Sequence, residues 1–422
     1  MIQNKNSVKI RFGKNRILKI PKKNLLSVLT PRKIKGVENQ KMEILKALNN
    51  PIENEKLRSI VSKNSKVSII VSDITRPTPN HIIVPVIVEN LDELGLDREN
   101  ISVVFGTGIH RNHTRKEKEK LTGNTKDINI FDHSSKDKDN LMEIGTTRDG
   151  TEILVNRKVY ESDVVITTGC VEFHYVAGYT GGKKSILPGI SGEPTIIKNH
   201  SKMITKEKEC ESGKLDGNPV HEEMVEASRL LRVDYNLNVV LNEKKEIVKA
   251  FGGNIHDSHL KCVELCDLMY KIKIPRKADI VVVNTKYPKN INLYQAQKAL
   301  ENAVKAVKQN GAIIWNTECF GGFGNETFYR WMIEAKTPSE IIEKMKSKGF
   351  LFGAHKAYMI ARALEKADVI LVSKIPNHLI SKTFISLSTS LEKALEISIK
   401  RAGKDPEIIV MPFGETTLPS IK

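Results

Sequence analysis

Short runs rich in valine and isoleucine recur along the chain, separated by segments of helical amphipathic spacing, and this alternation limits the fold more than any other feature. The runs are SIIVSD (within 67–73), ISVVFGTG (101–108), DVVITTG (163–169), NLNVVLN (236–242), DIVVVNT (279–285), GAIIWN (311–316), DVILVSK (368–374) and EIIVMPFG (407–414). Near-continuous apolar character suits strands covered on both faces, as in parallel sheets, whereas a strand with one wet face alternates. Between the runs lie HIIVPVIVENLDEL, ALENAVKAVKQN, PSEIIEKMKSK, AYMIARALEKA and LEKALEISIKRA, whose apolar residues recur at helical spacing. Strand and helix in alternation predict an α/β protein with largely parallel sheets. At 422 residues the chain exceeds what one core usually supports, so two α/β domains are expected. The basic, proline-containing KIKIPRK (271–277) follows a helical segment and precedes a fresh strand. It sets the expected division: a first domain over 1–270, a linker over 271–278 and a second domain over 279–422. The amino-terminal MIQNKNSVKIRFGKNRILKIP reads as a hairpin turning at Gly13-Lys14-Asn15 rather than as a secretory leader, because it lacks an uninterrupted apolar core and a small-residue cleavage site.

A formal charge of +17 raises the question of nucleic acid. Phosphate-binding surfaces cluster Lys and Arg. Here basic residues interleave with acidic ones, as in KEKEK (116–120) and KEKEC (206–210), and aromatic residues are only 5% of the chain, too few for a base-stacking platform. The surplus reads as solvated surface that draws in anionic small molecules at most. No run approaches the ~20 apolar residues that span a bilayer, and the longest, within 82–88, is broken by Pro85. Five cysteines (Cys170, Cys210, Cys262, Cys266 and Cys319) are odd in number and scattered, which suits a reducing compartment, and Cys262 and Cys266 read as helix neighbours. A cytoplasmic protein with no nucleic-acid and no membrane partner is expected.

Ligands of open α/β sheets bind beyond the carboxyl ends of strands, so polar residues directly after the apolar runs matter. Three loops stand out: Asp73-Ile74-Thr75-Arg76-Pro77-Thr78-Pro79, Gly106-Thr107-Gly108-Ile109-His110-Arg111, and FHYVAGYTGGKKSILPGI (173–190) with His174. NLYQAQKAL adds Gln295 and Lys298, three apart on one helical face. Each has a plainer reading. Asp73 and Thr75 read equally as caps of a helix beginning near Pro79, with Arg76 as their surface partner. A lone histidine is more often structural than catalytic, which applies to His110 and His174 taken singly. His81, His113, His133, His221 and His378 take the structural reading outright. His256 and His259 resemble a metal-binding pair but lack a nearby third ligand. Gly178, Gly181 and Gly182 can serve simply to permit positive backbone torsions. The third loop fails as a Walker phosphate loop: counted from Ala177 to Gly182-Lys183-Lys184, it lacks both the leading glycine and the closing Ser or Thr. The case for a site is coincidence, since three strand-end loops each offer charged or imidazole groups.

Taken together, GCVEFHYVAGYTGGKKSILPGISGEPTIIKNHS, with SDITRPTP and GTGIHR upstream and NLYQAQKAL downstream, resembles nickel-dependent lactate racemase and its 2-hydroxy-acid racemase and epimerase relatives. The similarity keeps order and nearly keeps spacing through almost the whole chain. It implies an isomerase that inverts the C2 centre of a 2-hydroxy acid, lactate first, by proton-coupled hydride transfer through a 2-keto acid intermediate. It also implies a nickel pincer nucleotide as cofactor: nickel(II) pyridinium-3,5-bisthiocarboxylic acid mononucleotide, with the metal held by two sulfurs and a ring carbon. Lys184 matches the lysine bonded covalently to a thiocarboxyl group of that cofactor, and His200 matches the protein ligand to nickel. The two acid/base histidines fall on His110 and His174. The loop that contacts cofactor and substrate falls on Asp73, Ile74, Thr75 and Arg76, and substrate binding falls on Arg76, Gln295 and Lys298. The implied partners are the small acid and, transiently, the cofactor-synthesis enzymes, without which the chain would be made empty.

The residue types suit such chemistry. Pulling a proton from Cα of a 2-hydroxy acid is hard, whereas loss of hydride leaves a flat 2-keto acid that can be attacked from either face. Hydride leaves readily only as the hydroxyl proton is taken, so each enantiomer needs a base with a pKa near about 7, and two faces need two histidines. Arg76 and Lys298 suit a carboxylate. Soft sulfur and carbon donors, completed by one imidazole, suit a roughly square-planar nickel. Because Asp73 to Arg76, His110, His174, Lys184 and His200 fall in the first expected domain and Gln295 and Lys298 in the second, an interdomain active-site cleft is expected. One departure bears on substrate. Where the lactate enzyme has a tryptophan near the substrate, this chain has Ala354-His355-Lys356, a polar pair that suits a bulkier or second-carboxylate substrate such as malate or a sugar acid, or else is merely surface. The rival of a different class is a non-catalytic carrier of the nickel nucleotide; retention of both His110 and His174 beside Lys184 favours catalysis.

Overall fold

The computed structural model describes residues 2–4, 7–12 and 16–421. The chain divides into two compact units, one formed by Lys33–Met269 and the other by the described residues up to Arg32 together with those from Tyr270 onward.

The Lys33–Met269 unit is built on a six-stranded sheet in the order Ile247–Gly253, Tyr235–Leu241, Val164–Cys170, Val67–Ser72, Ile101–Gly106, Asn129–Asp132. All pairings are parallel except that of Tyr235–Leu241 with Ile247–Gly253. The chain therefore travels outward from Val67–Ser72 to one edge, returns beside it as Val164–Cys170, and travels to the other edge. At such a reversal the loops leaving two adjacent strands splay to opposite faces of the sheet, which is where ligands of open α/β sheets sit. The apolar runs are explained by their surroundings: every residue of Val164–Cys170 is buried, and five of the six in Val67–Ser72. Ile69, Val71, Val103, Phe105 and Ile166 share one core with Ile83, Val84, Ile87, Val88 and Leu91 of the Asn80–Glu93 helix. Five buried aliphatic side chains at about 1.5–3 kcal/mol each outweigh the roughly 3 kcal/mol that a proline inside a helix costs, so Pro85 is carried within the helix.

The other unit holds an all-parallel six-stranded sheet in the order Ser386–Ser388, Ala367–Val372, Val307–Asn316, Ala278–Asn284, Ile408–Met411, Leu25–Val28. Ser7–Phe12 and Arg16–Pro21 pair antiparallel with Phe12 opposite Arg16; the expected turn at Gly13-Lys14-Asn15 lies outside the described residues. Val8, Ile10, Phe12, Leu18 and Ile20 from that pair of strands cover Ile280, Val282, Ile314 and Val410 of the sheet.

The α/β class with largely parallel sheets in two domains is as expected, but the expected limits of 1–270, 271–278 and 279–422 change in two ways. Residues up to Arg32 join the later unit, because Leu25–Val28 adds a strand beside Ile408–Met411 and the preceding strands cover the same sheet. Lys271–Ile274 is a strand parallel to Leu418–Ile421, so the segment read as a linker is hydrogen-bonded structure. The helical reading of ALENAVKAVKQN holds only to Val304; from Val307 the chain is strand, with Val307 opposite Ala278. Among the described residues no helix is long and apolar enough to cross a membrane.

Candidate active site

The loop after Val67–Ser72 begins with Asp73, whose carboxylate is buried beneath the exposed Ile74, Thr75 and Arg76. One carboxylate oxygen, Oδ1, accepts the Thr75 N–H at 3.0 Å and the Thr75 hydroxyl at 2.6 Å, and the other, Oδ2, meets His110 Nδ1 at 2.5 Å. The capping alternative falls away, because the Asn80–Glu93 helix has Pro79 at its N-cap and no side-chain cap. Burial alone pushes the Asp73 carboxyl up, but the hydrogen bond and charge of His110, then Arg76 and Thr75, bring it down to about 2. A carboxylate at Nδ1 makes that nitrogen the donor and leaves the lone pair of His110 on Nε2, the arrangement of an oriented general base.

The loop after Ile101–Gly106 brings His110 to this carboxylate by a route that also touches the third loop. The His110 N–H donates to the Thr107 carbonyl at 2.9 Å, and the Gly108 N–H donates to the Gly189 carbonyl at 2.8 Å. A Cβ on Gly106 would lie 3.2 Å from the Gly189 backbone, tight enough that the two loops would have to part by a few tenths of an ångström to admit one.

After Val164–Cys170 the chain makes a small hairpin, Phe173–His174 against Gly178–Tyr179, then a tight turn over Gly182–Ser185. Gly181 and Gly182 have φ of +77° and +51°, and the Gly182 N–H donates to Asn238 Oδ1 at 3.0 Å. A Cβ on Gly181 would fall 2.4 Å from that oxygen. Torsion and close approach together account for glycine there, and the turn presents two lysines to different surroundings. Lys183 is 2% exposed, with Nζ 3.3 Å from His256 Nδ1. Lys184 keeps part of its surface open while protein surrounds it on most sides; burial, reinforced by the positive Arg76, pulls its ammonium down to about 7. An amine near neutrality at physiological pH is a nucleophile.

His200 lies on the Glu193–Thr205 helix, with Nδ1 3.1 Å from the Ile196 carbonyl. Burial, then the positive charges of Lys184 and Arg76, hold it down to about 3, so its imidazole is neutral. With Nδ1–H donating, the lone pair is on Nε2, the form in which histidine ligates a metal. His174 has the opposite pattern: its Nδ1 accepts the Val176 and Ala177 N–H groups at 3.2 and 3.1 Å, which puts the proton on Nε2.

Residues 12–212 match the lactate racemase N-terminal domain and residues 274–418 the lactate racemase C-terminal domain. The lactate racemase of Thermoanaerobacterium thermosaccharolyticum is 31% identical over 422 residues, covering 98% of this chain and 99% of that protein. The chain belongs to the lactate racemase family. A second lactate racemase, from Lactiplantibacillus plantarum, is 32% identical over 378 residues, 87% of this chain and 88% of that one. The structure of the lactate racemase apoprotein from T. thermosaccharolyticum matches with a TM-score of 0.90 at 29% identity, covering 98% of this chain and all of that one. A Thermotoga maritima protein, with a TM-score of 0.68 at 19% identity over 92% of this chain and 100% of its own, shares the fold alone. The lactate racemase relatives are isomerases, and the enzyme class inferred from the motifs agrees with them.

In this lactate racemase family member Gln295 and Lys298 lie in the other unit, both half-buried on the Leu293–Val304 helix. Gln295 Oε1 accepts from Lys289 Nζ at 3.2 Å. His355 and Lys356 are not surface residues, as one reading of that pair had it. Both are buried: His355 is stacked on Phe350 and edge-on to Tyr294, and Lys356 Nζ donates to Gln297 Oε1 at 3.1 Å. His259 Nε2 meets the Thr180 carbonyl at 3.0 Å and His256 Nδ1 lies 3.3 Å from Lys183 Nζ, and among the described residues no group of three His, Cys, Asp or Glu is placed to hold a metal ion. Sequence reasoning missed Asn238, which anchors the glycine turn, and it gave His113 a purely structural place although its ring meets the Asp73 loop. Two asparagines, Asn236 and Asn238, inside a buried and otherwise apolar strand were the available signal for the first.

Proposed function

We propose that the chain is a racemase or epimerase of a 2-hydroxy acid, lactate first, acting in the cytoplasm with a nickel pincer nucleotide held by Lys184 and His200. The donor set fits that group: a partly enclosed amine that loses its proton near neutrality suits covalent bonding to a thiocarboxyl carbon, and a neutral imidazole with Nδ1–H tied to Ile196 offers Nε2 to nickel. Bound there, the group supplies the electrophile that accepts the Cα hydrogen as hydride. The chain's own residues do the rest. Arg76 and Lys298 bind the substrate carboxylate and Gln295 its polar neighbour atoms, while Ile74 and Thr75 complete the contact beside Asp73. His110 takes the hydroxyl proton at Nε2, and Asp73 stabilises the imidazolium through Nδ1–H. We assign the opposite face to His174, so that every turnover uses both histidines; to act as a base there its ring must release the Val176 and Ala177 N–H groups that now hold the proton on Nε2.

The observation that supports this reading is the Asp73–His110 pair on the loop whose Arg76 is within electrostatic reach of Lys184 and His200, because a carrier of the nucleotide needs no oriented base. Protein made together with the cofactor-synthesis enzymes should show a mass adduct on Lys184 and interconvert D- and L-lactate by chiral chromatography. An adduct without turnover of any 2-hydroxy acid would support the carrier instead, and absence of an adduct would refute both. A second substrate reading, malate or a sugar acid, draws on the buried ammonium of Lys356, 5.1 Å from the centre of the Tyr294 ring next to Gln295. Relative kcat/KM on lactate, malate and a sugar acid decides between them.

A further inference from the structure

The loop carrying Asp73 is held by a histidine that the proposed reaction does not use. His113 is 8% exposed, its ring tilted against Phe105 with centroids 4.6 Å apart. Nε2 accepts the Ile74 N–H at 3.0 Å, and Nδ1 meets Asp132 Oδ1 at 2.6 Å. Asp132 is itself fixed, since its Oδ2 accepts the His113 backbone N–H at 3.1 Å and the Lys118 ammonium at 2.9 Å. Only the Nδ1–H tautomer satisfies both ring contacts, because a proton on Nε2 would face the Ile74 N–H head on.

This tether matters because of what surrounds it. Ile74, Thr75 and Arg76 are exposed, so burial of apolar side chains does not fix their backbone. Hydrogen bonds must do so. The Ile74 nitrogen belongs to the peptide plane that begins at Asp73, and holding that plane limits where the Asp73 carboxylate can point. That carboxylate determines which nitrogen of His110 carries the proton. We infer that His113 is a positioning residue: the chain from Asp132 through His113 to the Ile74 N–H fixes the Asp73–Ile74 peptide and so keeps His110 oriented with Nε2 as its acceptor. Its effect on turnover rests on the racemase reading, whereas its effect on His110 does not.

Two near-isosteres separate the contacts. In His113→Asn the amide reaches only the position of Nδ1, so the Asp132 contact survives and the Ile74 contact is lost. In His113→Gln an amide oxygen can reach the position of Nε2 and keep the Ile74 contact. With cofactor loaded, His113→Asn should lower kcat at least about tenfold with KM changed less than about threefold, as expected for a misplaced catalytic group. His113→Gln should stay within about threefold of the parent. In the ¹⁵N-histidine spectrum of the full chain without cofactor, His110 should be a single Nδ1–H tautomer in the parent and in His113→Gln, and a mixture in His113→Asn. If His113→Asn does not fold, Ile74→Pro deletes the same N–H from the loop side and should give the same mixture. A single Nδ1–H tautomer for His110 in His113→Asn, or equal losses in the two His113 variants, would make His113 a packing residue and overturn the inference. If the loaded parent turns over no 2-hydroxy acid, the racemase reading fails and the tautomer measurement still decides the positioning role.

Discussion

Replacing Asp73 by Asn tests the base assignment most directly, because the surroundings dictate how the amide must sit. Thr75 sends two donors, an N–H and a hydroxyl, to one carboxylate oxygen. In Asp73→Asn the amide oxygen stays there and the NH2 group faces His110 Nδ1, which turns that nitrogen into an acceptor and moves the ring proton to Nε2. The base is then unable to accept where the substrate hydroxyl must be, and kcat should fall by about 10² to 10⁴ in both directions. Stability carries a second signature. The lowering of the Asp73 carboxyl from its ordinary 3.8 to about 2 stabilises the folded state by about 2 kcal/mol. Since the folded value is the lower one, that contribution is complete well above pH 3.8 and is lost as pH falls through about 2; at about pH 3 roughly half is gone. Urea unfolding should show the parent more stable than Asp73→Asn by about 2 kcal/mol near neutrality, with the gap closing in acid. Cofactor loading, read by intact mass, should be unchanged. A variant that racemises within about threefold of the parent while loaded would refute the assignment of His110 as an Asp73-oriented base.

Four other substitutions probe the remaining roles. Lys184→Ala should abolish the mass adduct, whereas Lys183→Ala should keep it while losing about 2 kcal/mol of stability from a buried site; acylation of Lys184 in the unloaded chain should rise with pH through about 7, where its ammonium loses the proton. His174→Ala should remove racemisation in both directions, by about 10² to 10⁴, with nickel content by metal analysis unchanged. Lys298→Ala should raise KM for the acid with little change in cofactor loading, since it removes a carboxylate partner and leaves Lys184 and His200 intact; loss of nickel in this variant would count against a substrate role.

The eight apolar runs were legible because their strands are covered on both faces and carry their burial in the local sequence. Leu25–Val28 was not, because it has no run of that kind: each of its residues is only half-buried. Lys271–Ile274 alternates charge with isoleucine and owes its strand form to Leu418–Ile421, nearly 150 residues away, which no local pattern records. The site followed the same division. His110 and His174 stood out on loops directly after strands, Lys184 and His200 were picked out only through the family resemblance, and the switch from Asp73 as cap to Asp73 as partner of His110 needed the loops of two strands to be seen side by side. His113 looked structural because its chemistry lies in a contact with a backbone N–H, and backbone donors leave no mark in a sequence.

The connection of Leu25–Val28 to Ile408–Met411 has a consequence for synthesis. Among the described residues Leu25–Val28 has one neighbour in its sheet, Ile408–Met411, which is made about 380 residues later, a wait of about 20 to 75 s at ordinary elongation rates. Its own apolar covering strands emerge with it and must stay out of trouble for that time. Lys33–Met269, by contrast, contains every strand of its sheet and can complete that sheet while the ribosome is still translating. A nascent chain stalled before residue 408 would therefore carry one finished unit and a Leu25–Val28 segment still lacking the strand it pairs with.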